Sequence, residues 1–437
     1  MLLGTQRVNA RGHLEIDGCD AVDLARQFGT PLYVMDEATI RERCRAYLAA
    51  FRDRYAKFRL AYASKACLCA GICPLFEAEG LDMDVASGGE LYTALQGGFP
   101  AARLVFHGNN KSEAELRLAL EAGVGRIVVD NSLELERLEA LAAERRAPID
   151  ILLRCTPGID PHTHELVRTG QVDTKFGFDV NGCAALTAIC RALQAPGLRL
   201  RGLHCHVGSQ LLDTEAHEAA THVMVELLAA VRRQMGVVLE ELNMGGGLGI
   251  RYREEDRPPS LDAFADALVH ALQEALARHD FPAPTLIHEP GRALVGEAGT
   301  TLYTVGAIKE IPGLRTYVSV DGGLSDNPRP ALYDARYEVL LANRAAVPPD
   351  TVVTIAGQHC ETDTLFPDAR LPALRPGDLL AVQSTGAYHF SMASNYNRYP
   401  RPAVVLVADG RADLLVRRET YTDLVRNDVM PERFRKG

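Results

Sequence analysis

Eight short apolar segments alternate with amphipathic segments over the first two thirds of the chain, and this alternation constrains the fold more than any other feature. The amphipathic segments include Glu113–Ala122 and Leu261–His279, which have helical spacing. Strands separated by helices predict a parallel eight-stranded β/α barrel, and an open doubly wound sheet is the alternative. The expected strands are Phe58–Ser64, Leu81–Val85, Arg103–His107, Arg126–Asp130, Ile149–Arg154, Arg199–His206, Leu239–Met244 and Thr285–His288.

The residues that end these strands favour the barrel, because barrel enzymes carry their chemistry at the carboxyl ends of the strands. Nearly every predicted strand ends in a glycine or in a polar or ionisable residue. These residues are Lys65, Asp84, His107, Asp130, Arg154, His206, Gly245-Gly246-Gly247 and Glu289.

Beyond residue 293 short strands follow one another between Pro, Gly and Asp turns, which predicts an all-β domain. The expected strands are Thr301–Ile308, Thr316–Asp321, Thr351–Ala356, Leu379–Gln383, Ala403–Val407 and Ala412–Val416. The segment Leu32-Tyr33-Val34-Met35 is expected to return and join it as a strand. We therefore predict three parts. Residues 1–36 belong with the β domain, residues 37–292 form the barrel, and residues 293–437 form a sandwich-like or barrel-like β domain.

Composition narrows the function classes. The chain has 437 residues, 47% of them hydrophobic, and a formal charge of -10, which argues against nucleic acid or anionic membranes as partners. No apolar run has the length of a signal peptide core or a membrane span. The ten cysteines include no Cys-x-x-Cys and several lie in apolar runs, so we expect reduced thiols in a cytoplasmic enzyme.

Lys65 is the first candidate for catalysis. It follows an apolar strand, and a partly desolvated amine at such a position is free to form a Schiff base with an aldehyde. A solvated surface lysine is the alternative for this residue taken alone.

The run Gly245-Gly246-Gly247 follows the seventh strand. Consecutive glycines let backbone N–H groups converge on an anion with no Cβ in the way. The spacing matches neither Gly-x-Gly-x-x-Gly nor a P-loop, so a single phosphate fits better than a nucleotide. A tight turn with only a folding role remains open.

We expect His204 and His206, two residues apart on a predicted strand, to face the same side. This spacing, repeated at His162-Thr163-His164, is also found in metal sites, so a zinc or manganese hydrolase is the rival enzyme class. The strand ends lack a compact supply of further ligands and carry Lys65 instead. We therefore expect no metal, and we expect His204 to be a core histidine.

Two further motifs carry acid–base chemistry. Glu289 could keep a pyridine nitrogen protonated, and Arg292 offers a bidentate fork for a carboxylate or phosphate; a turn with a surface ion pair is the alternative. Cys360 lies beside carboxylates and is a candidate proton donor, against the commoner inert cysteine. Together with Lys65 these features indicate pyridoxal phosphate chemistry.

Motifs spread over essentially the whole chain resemble, in the same order, the fold-type III pyridoxal phosphate decarboxylases, which have the alanine racemase-like fold. Within that family they are most similar to the members that act on diaminopimelate. The motifs are Tyr62–Ala66, Asp84–Leu91, His107–Ser112, Pro161–His164, Thr169–Gln171, Lys175–Phe178, Gly202–Gln210, Glu289–Arg292, Arg329–Tyr333 and Met392–Asn397.

The resemblance implies a role for each matching residue. Lys65 would hold the cofactor, His206 would stack on its ring, Glu289 would pair with the ring nitrogen, and Cys360 would deliver a proton to the carbanion. The remaining cofactor contacts would come from Asp84, Ser209, Gly245, Gly246, Gly247, Gly291, Arg292 and Tyr388. The substrate contacts would come from Arg292, Arg329, Tyr333, Glu361 and Tyr388.

The implied activity is decarboxylation of meso-2,6-diaminopimelate at its D-centre to L-lysine and CO2, the last step of lysine biosynthesis. The family also implies a homodimer with shared active sites, in which the Cys360 segment crosses from the partner. Two arginines suit a substrate with a second carboxylate. The alternatives are a related decarboxylase with another amino acid substrate and a non-catalytic relative that binds the cofactor.

One segment departs from the family pattern. Where the family usually reads Cys-Glu-Ser-Gly-Asp, this chain has Cys360-Glu361-Thr362-Asp363-Thr364. In an extended segment the change moves a carboxylate by one position and turns it to the other face. We therefore expect an effect on substrate fit and none on cofactor binding.

Overall fold

The computed structural model describes residues 2–145, 147–160, 170–171 and 173–435, and it divides into two compact units. One unit contains residues 40–251 and 255–296. The other contains residues 1–39, 252–254 and 297–437. The limits predicted from the sequence, at residues 36 and 292, stay a prediction.

The first unit is a closed barrel of eight parallel strands, and each of the eight predicted segments overlaps one of them. The added strand Phe178–Asp179 pairs with the fifth strand. Most strand residues are buried, as expected where a parallel sheet is covered on both faces. The strands are Phe58–Ala63, Asp82–Val85, Leu104–Phe106, Arg126–Val129, Ile149–Thr156, Leu198–His204, Glu241–Asn243 and Thr285–His288.

Helices follow the strands, and several begin at caps that the sequence supplies. Ser112 and Glu115 form a capping box, and that helix ends at Gly123, which adopts a left-handed φ of 77°. The α-helices of this unit are Glu37–Arg52 (which begins in the other unit), Cys73–Ala78, Gly88–Gln96, Glu113–Ala122, Ser132–Ala143, Ala184–Gln194, Glu215–Met235, Leu261–Arg278 and Arg292–Val295.

An ion-pair network closes the amino end of the barrel strands. Arg126 lies 2.6 Å from Glu241 and 3.0 Å from Asp150, and Arg59 lies 2.7 Å from Asp82. Each side chain stands at the first or second residue of its strand. The charged groups at this end are therefore used for structure, as is usual for this face of a barrel.

The second unit is mainly β, as the sequence predicted for the region after residue 293. Its large sheet has the order Thr364–Leu371, Thr351–Ala356, Arg315–Val320, Gly299–Ile311, Leu32–Asp36, Ala403–Ala408 and Arg411–Val416. Leu379–Val382 pairs with Gly299–Ile311 and with Val339–Leu341. Leu32–Asp36 is antiparallel to Gly299–Ile311 and parallel to Ala403–Ala408.

The prediction missed several elements of this unit. A three-stranded sheet of Arg7–Val8, Leu14–Ile16 and Cys19–Asp20 precedes the helix Ala21–Phe28. The strands Thr364–Leu371 and Val339–Leu341 were also missed. Leu14, Ile16, Leu32, Val34, Leu302 and Val405 belong to one buried cluster, so both ends of the chain build this core. The other α-helices described in this unit are Arg329–Tyr333 and Tyr421–Val425.

Candidate active site

Lys65 lies in a turn of 3-10 helix, Ser64–Ala66, directly after the strand Phe58–Ala63. Buried contacts fix the backbone on both sides. Tyr62 stacks on Phe76 with ring centroids 3.7 Å apart, and its hydroxyl donates to the carbonyl of Cys67. Lys65 itself is exposed. The prediction that the surrounding residues partly desolvate its amine is therefore wrong. The lysine is instead an accessible amine on a rigid support.

The next strand end is tied to this turn through Glu90. Its Oε2 accepts hydrogen bonds from the Ser64 hydroxyl at 3.2 Å and from the Ala86 backbone N–H at 2.6 Å. Asp84 is buried two residues before Ala86. Burial, together with the nearby charge of Glu289, raises the pKa of Asp84 to about 6 despite the opposing effect of His107.

Glu289 is a buried carboxylate with three donors around it. His107 Nε2 lies 2.9 Å from Oε1, Asn243 Nδ2 lies 2.6 Å from the same oxygen, and His204 Nε2 lies 3.1 Å from Oε2. Burial alone would raise the pKa of Glu289. The imidazoles of His107 and His204 outweigh it, and the pKa lies well below its ordinary value. Glu289 is therefore ionised at neutral pH.

Glu289 and its two histidine partners form the compact set of ligands that a metal site would need. One ligand atom from each of His107, His204 and Glu289 lies within 4.8 Å of the others. The expectation that the strand ends lack such a set is therefore wrong here. His204 is buried, as expected for a core histidine. The second His-x-His pair, His162 and His164, lies outside the described residues.

The glycine run is fixed by neighbouring strand ends. The Gly245 N–H donates to the Asn243 side chain, and the Gly246 N–H donates to His206 Nδ1 at 3.3 Å. A Cβ at Gly246 would lie 2.2 Å from the carbonyl oxygen of Glu289. Only glycine allows this close approach of two backbones. The turn consequently has a folding role whatever it binds.

Two polar side chains next to this turn suit an anion. The buried guanidinium of Arg292 donates to the Ser209 hydroxyl at 2.9 Å. Gly291, which precedes it, packs against the backbone and side chain of Ala63, since a Cβ there would lie 3.0 Å from the Ala63 carbonyl oxygen.

The His206 ring is neutral, because burial and the charges of Lys65 and Arg154 lower its pKa.

In the β unit Arg329 is buried among tyrosines. Its Nε donates to the Tyr337 hydroxyl at 2.8 Å. The guanidinium carbon lies 5.0 Å from the centroid of the Tyr333 ring and 5.6 Å from that of Tyr388. Three of the predicted substrate residues, Arg329, Tyr333 and Tyr388, are thus brought together within this unit.

Cys360 and Glu361, also in the β unit, are both exposed. The Cys360 N–H donates to the Asn397 side chain at 3.0 Å, and the Tyr396 hydroxyl donates to Glu361 in a short hydrogen bond. The Met392–Asn397 motif therefore holds the segment that carries Cys360 and Glu361 in place.

Comparison with known proteins places this arrangement in a family. Residues 37–296 match the family model described as "Pyridoxal-dependent decarboxylase, pyridoxal binding domain". The chain is 52% identical over 429 residues to the diaminopimelate decarboxylase of Bacillus subtilis, covering 98% of each chain.

This chain belongs to the pyridoxal-dependent decarboxylase family. Solved structures of the family have the same fold. The chain is similar to the diaminopimelate decarboxylase of M. jannaschii in co-complex with L-lysine, with 36% identity, a TM-score of 0.92 and coverage of 99% of this chain and 100% of that one. The Helicobacter pylori enzyme complexed with L-lysine gives 32% identity, a TM-score of 0.85 and coverage of 93% and 98%.

Family membership confirms the predicted fold class, the class of carboxy-lyase and the cofactor, pyridoxal 5'-phosphate. Among the described residues no helix combines the length and apolar character needed to cross a bilayer.

The described residues fit this cofactor. An ionised carboxylate suits a protonated ring nitrogen, a neutral imidazole suits stacking on a ring, and a buried arginine beside a glycine turn suits a phosphate. Sequence reasoning assigned no role to His107 or Asn243, which contact Glu289. Their position at strand ends was the available signal, but only closure of the barrel brings them to the same carboxylate.

Proposed function

We propose that the chain decarboxylates meso-2,6-diaminopimelate at its D-centre and releases L-lysine and CO2, as the last step of lysine biosynthesis. The observation that carries the proposal is the ionised, buried Glu289 in the same barrel as the accessible amine of Lys65. Relatives named diaminopimelate decarboxylase, and their complexes with L-lysine, support this substrate.

Pyridoxal phosphate, when bound, accepts the electrons that are released at Cα as the carboxylate leaves. Lys65 would bind its aldehyde carbon through Nζ. Glu289 would hold the proton on the ring nitrogen, and His206 would cover one face of the ring. The phosphate and remaining polar groups would be held by Asp84, Ser209, Gly245, Gly246, Gly247, Gly291, Arg292 and Tyr388.

The substrate would be held by arginines and a carboxylate. Arg329 is held at Nε by Tyr337, which leaves its terminal N–H groups for a planar, bidentate partner such as the far carboxylate of diaminopimelate. Arg292, Tyr333, Glu361 and Tyr388 would contact the other polar groups. Cys360 would transfer its thiol proton to Cα after CO2 has left.

Substrate choice is tested by CO2 release from purified, cofactor-loaded protein. Meso-diaminopimelate, ornithine, arginine and L-lysine are supplied separately. Release from diaminopimelate alone supports the proposal. Release from another amino acid only would show a related decarboxylase of the same fold, and no release from any of the four, with cofactor bound, would favour a non-catalytic relative.

We further propose a homodimer with shared active sites. The exposed Cys360 and Glu361 on an ordered segment support a contribution in trans. Mixing inactive Lys65→Ala and Cys360→Ala subunits tests this. If the sites are shared, hybrid dimers recover activity, up to one intact site per hybrid. If each subunit is complete by itself, mixing restores nothing.

We also propose that the protein works in the cytoplasm. All ten cysteines are free, and Cys67, Cys69 and Cys73 lie buried along a short stretch of chain. Free thiols persist in reducing compartments. Fractionation of cells that express the tagged protein checks this, since recovery with the periplasmic or secreted fraction would contradict it.

A further inference from the structure

Two histidines that the proposed chemistry leaves without a role contact the carboxylate at its centre. We infer that His107 and His204 are positioning residues with different tasks. His107 supplies a positive charge and His204 supplies a neutral N–H donor, and with Asn243 they keep Glu289 an ionised acceptor for the cofactor's ring nitrogen. This inference rests on the proposed function and extends it to residues outside the cofactor's own contacts.

The Glu289 carboxylate has room for one further hydrogen-bond donor. A carboxylate offers about four lone-pair positions. His107, Asn243 and His204 together use three of them. One acceptor position remains, which matches the single N–H of a protonated pyridine.

His107 and His204 lie too close together for both to be charged. The rings of His107 and His204 meet edge to face with centroids 4.9 Å apart, and both side chains are buried. Two imidazolium cations at that separation would repel each other strongly in a poorly solvated site. At most one of the two rings therefore carries the extra proton.

The surroundings select His107 for that proton. A second carboxylate, Asp84, lies 3.9 Å from His107 Nε2. Burial lowers the pKa of His107, but Asp84 and Glu289 outweigh it and leave the pKa above its ordinary value. The other charged groups that act on this cluster are Arg154, Lys65 and Glu90.

His204 has the opposite surroundings. Burial lowers its pKa to about 4 against the attraction of Glu289. Its Nδ1 is buried and has no hydrogen-bond partner among the described residues. A protonated Nδ1 would leave a buried N–H unsatisfied, so the neutral tautomer with the proton on Nε2 fits the site.

The two tasks predict different responses to one substitution. Glutamine keeps a neutral N–H donor and cannot carry a charge. His204→Gln should therefore change turnover by less than about threefold. His107→Gln should lower it by roughly 10- to 100-fold, by analogy with residues that orient the ligands of a metal site. The leucine variants, which lose the donor as well, should lower it at either position.

Protonation of the cofactor's ring nitrogen distinguishes a positioning role from a merely structural one, since a structural role would leave it unchanged. Apoprotein is loaded with 15N-labelled pyridoxal phosphate, and the ring-nitrogen shift is read by solid-state NMR. We expect a protonated nitrogen in the wild type and in His204→Gln, and an unprotonated one in His107→Gln. His222→Gln, at a partly exposed position of the helix Glu215–Met235, is the matched control.

The outcomes separate this inference from the proposed function. A protonated nitrogen in both His107→Gln and His107→Leu, with cofactor bound, overturns the inference while the decarboxylase stands. An unprotonated nitrogen in a wild type that releases CO2 overturns it as well. Failure of the wild type to bind the cofactor through Lys65 would contradict the proposed function itself, and with it this inference.

Discussion

Asp363 and His359 enclose the turn that carries Cys360. Asp363 Oδ2 lies 2.7 Å from His359 Nδ1 and accepts the His359 backbone N–H at 3.0 Å, while Oδ1 accepts the Leu324 N–H. Asp363 adopts a left-handed φ of 41°, and its carboxylate is buried. The extended geometry assumed from the sequence is wrong at this position, and the carboxylate is used to hold the loop.

Replacing Asp363 by alanine should loosen the Cys360 turn, because three hydrogen bonds to one charged group are lost. Each such bond contributes about 1.5–3 kcal/mol. We expect a lower free energy of unfolding and slower turnover, with unchanged cofactor affinity in the barrel. Asp363→Asn, which keeps one acceptor, should fall between wild type and alanine. A loss of cofactor affinity as large as the loss of turnover would contradict a role of Asp363 that is confined to the Cys360 turn.

Lys65→Ala should abolish covalent binding of the cofactor, since no other amine takes its place in the proposed site. The visible absorbance of the bound cofactor is the measurement. Lys65→Arg preserves the charge and should fail as well, because a guanidinium is always protonated at neutral pH. A visible band that persists in either variant would refute the assignment of Lys65.

Cys360→Ala should retain the cofactor and slow turnover by roughly 10²- to 10⁴-fold, the range for loss of a general acid. Cys183 is likewise a free and exposed thiol, so Cys183→Ala is the matched control and should behave as wild type. Steady-state CO2 release measures both. Near-normal turnover of Cys360→Ala would exclude the role of proton donor.

Arg329→Ala should raise KM for diaminopimelate by about 10- to 150-fold, which corresponds to about 1.5–3 kcal/mol for a charged hydrogen bond. Cofactor affinity should change little. Tyr337→Phe removes only the hydroxyl that fixes Nε and should produce a smaller rise. If Arg329→Ala weakens cofactor and substrate binding equally, Arg329 supports the fold or the phosphate instead.

Asp326 should make stability depend on pH. Burial raises its pKa to about 7, although Tyr303 and the Gly323 N–H donate to it. Between its ordinary value near pH 4 and about pH 7 the folded state binds one more proton than the unfolded state. The free energy of unfolding should therefore fall as pH rises through this range, by roughly 1.4 kcal/mol per pH unit at most.

Asp326→Asn stays neutral and should remove that contribution. Thermal unfolding midpoints at pH 5 and pH 7.5 give the comparison, with the wild type losing more stability over the interval than the variant. Asp321 and Asp363, which also raise the pKa of Asp326, are present in both proteins. An identical pH dependence in wild type and variant would mean that Asp326 does not titrate as described.

Most of the barrel could be predicted from the sequence because each of its strands is a local apolar run. Contacts between residues far apart in the chain could not be predicted in this way. His107 and Glu289 are 182 residues apart in the chain, and nothing local marks them as partners. The strand Thr364–Leu371 was hidden because it contains Pro367 and Asp368, and Asp368 has a positive φ of 56°. Residues 7–20 were missed because their strands have only two or three residues.

The position of Leu32–Asp36 between Gly299–Ile311 and Ala403–Ala408 has a consequence for biosynthesis. All five residues of this strand are buried in the finished sheet. Its two neighbours in the sheet, Gly299–Ile311 and Ala403–Ala408, are both synthesised after the entire barrel. During translation an apolar strand thus waits with both edges unpaired, a state that invites aggregation. We expect the barrel to fold first and the β unit to fold only after Ala403–Ala408 has been synthesised.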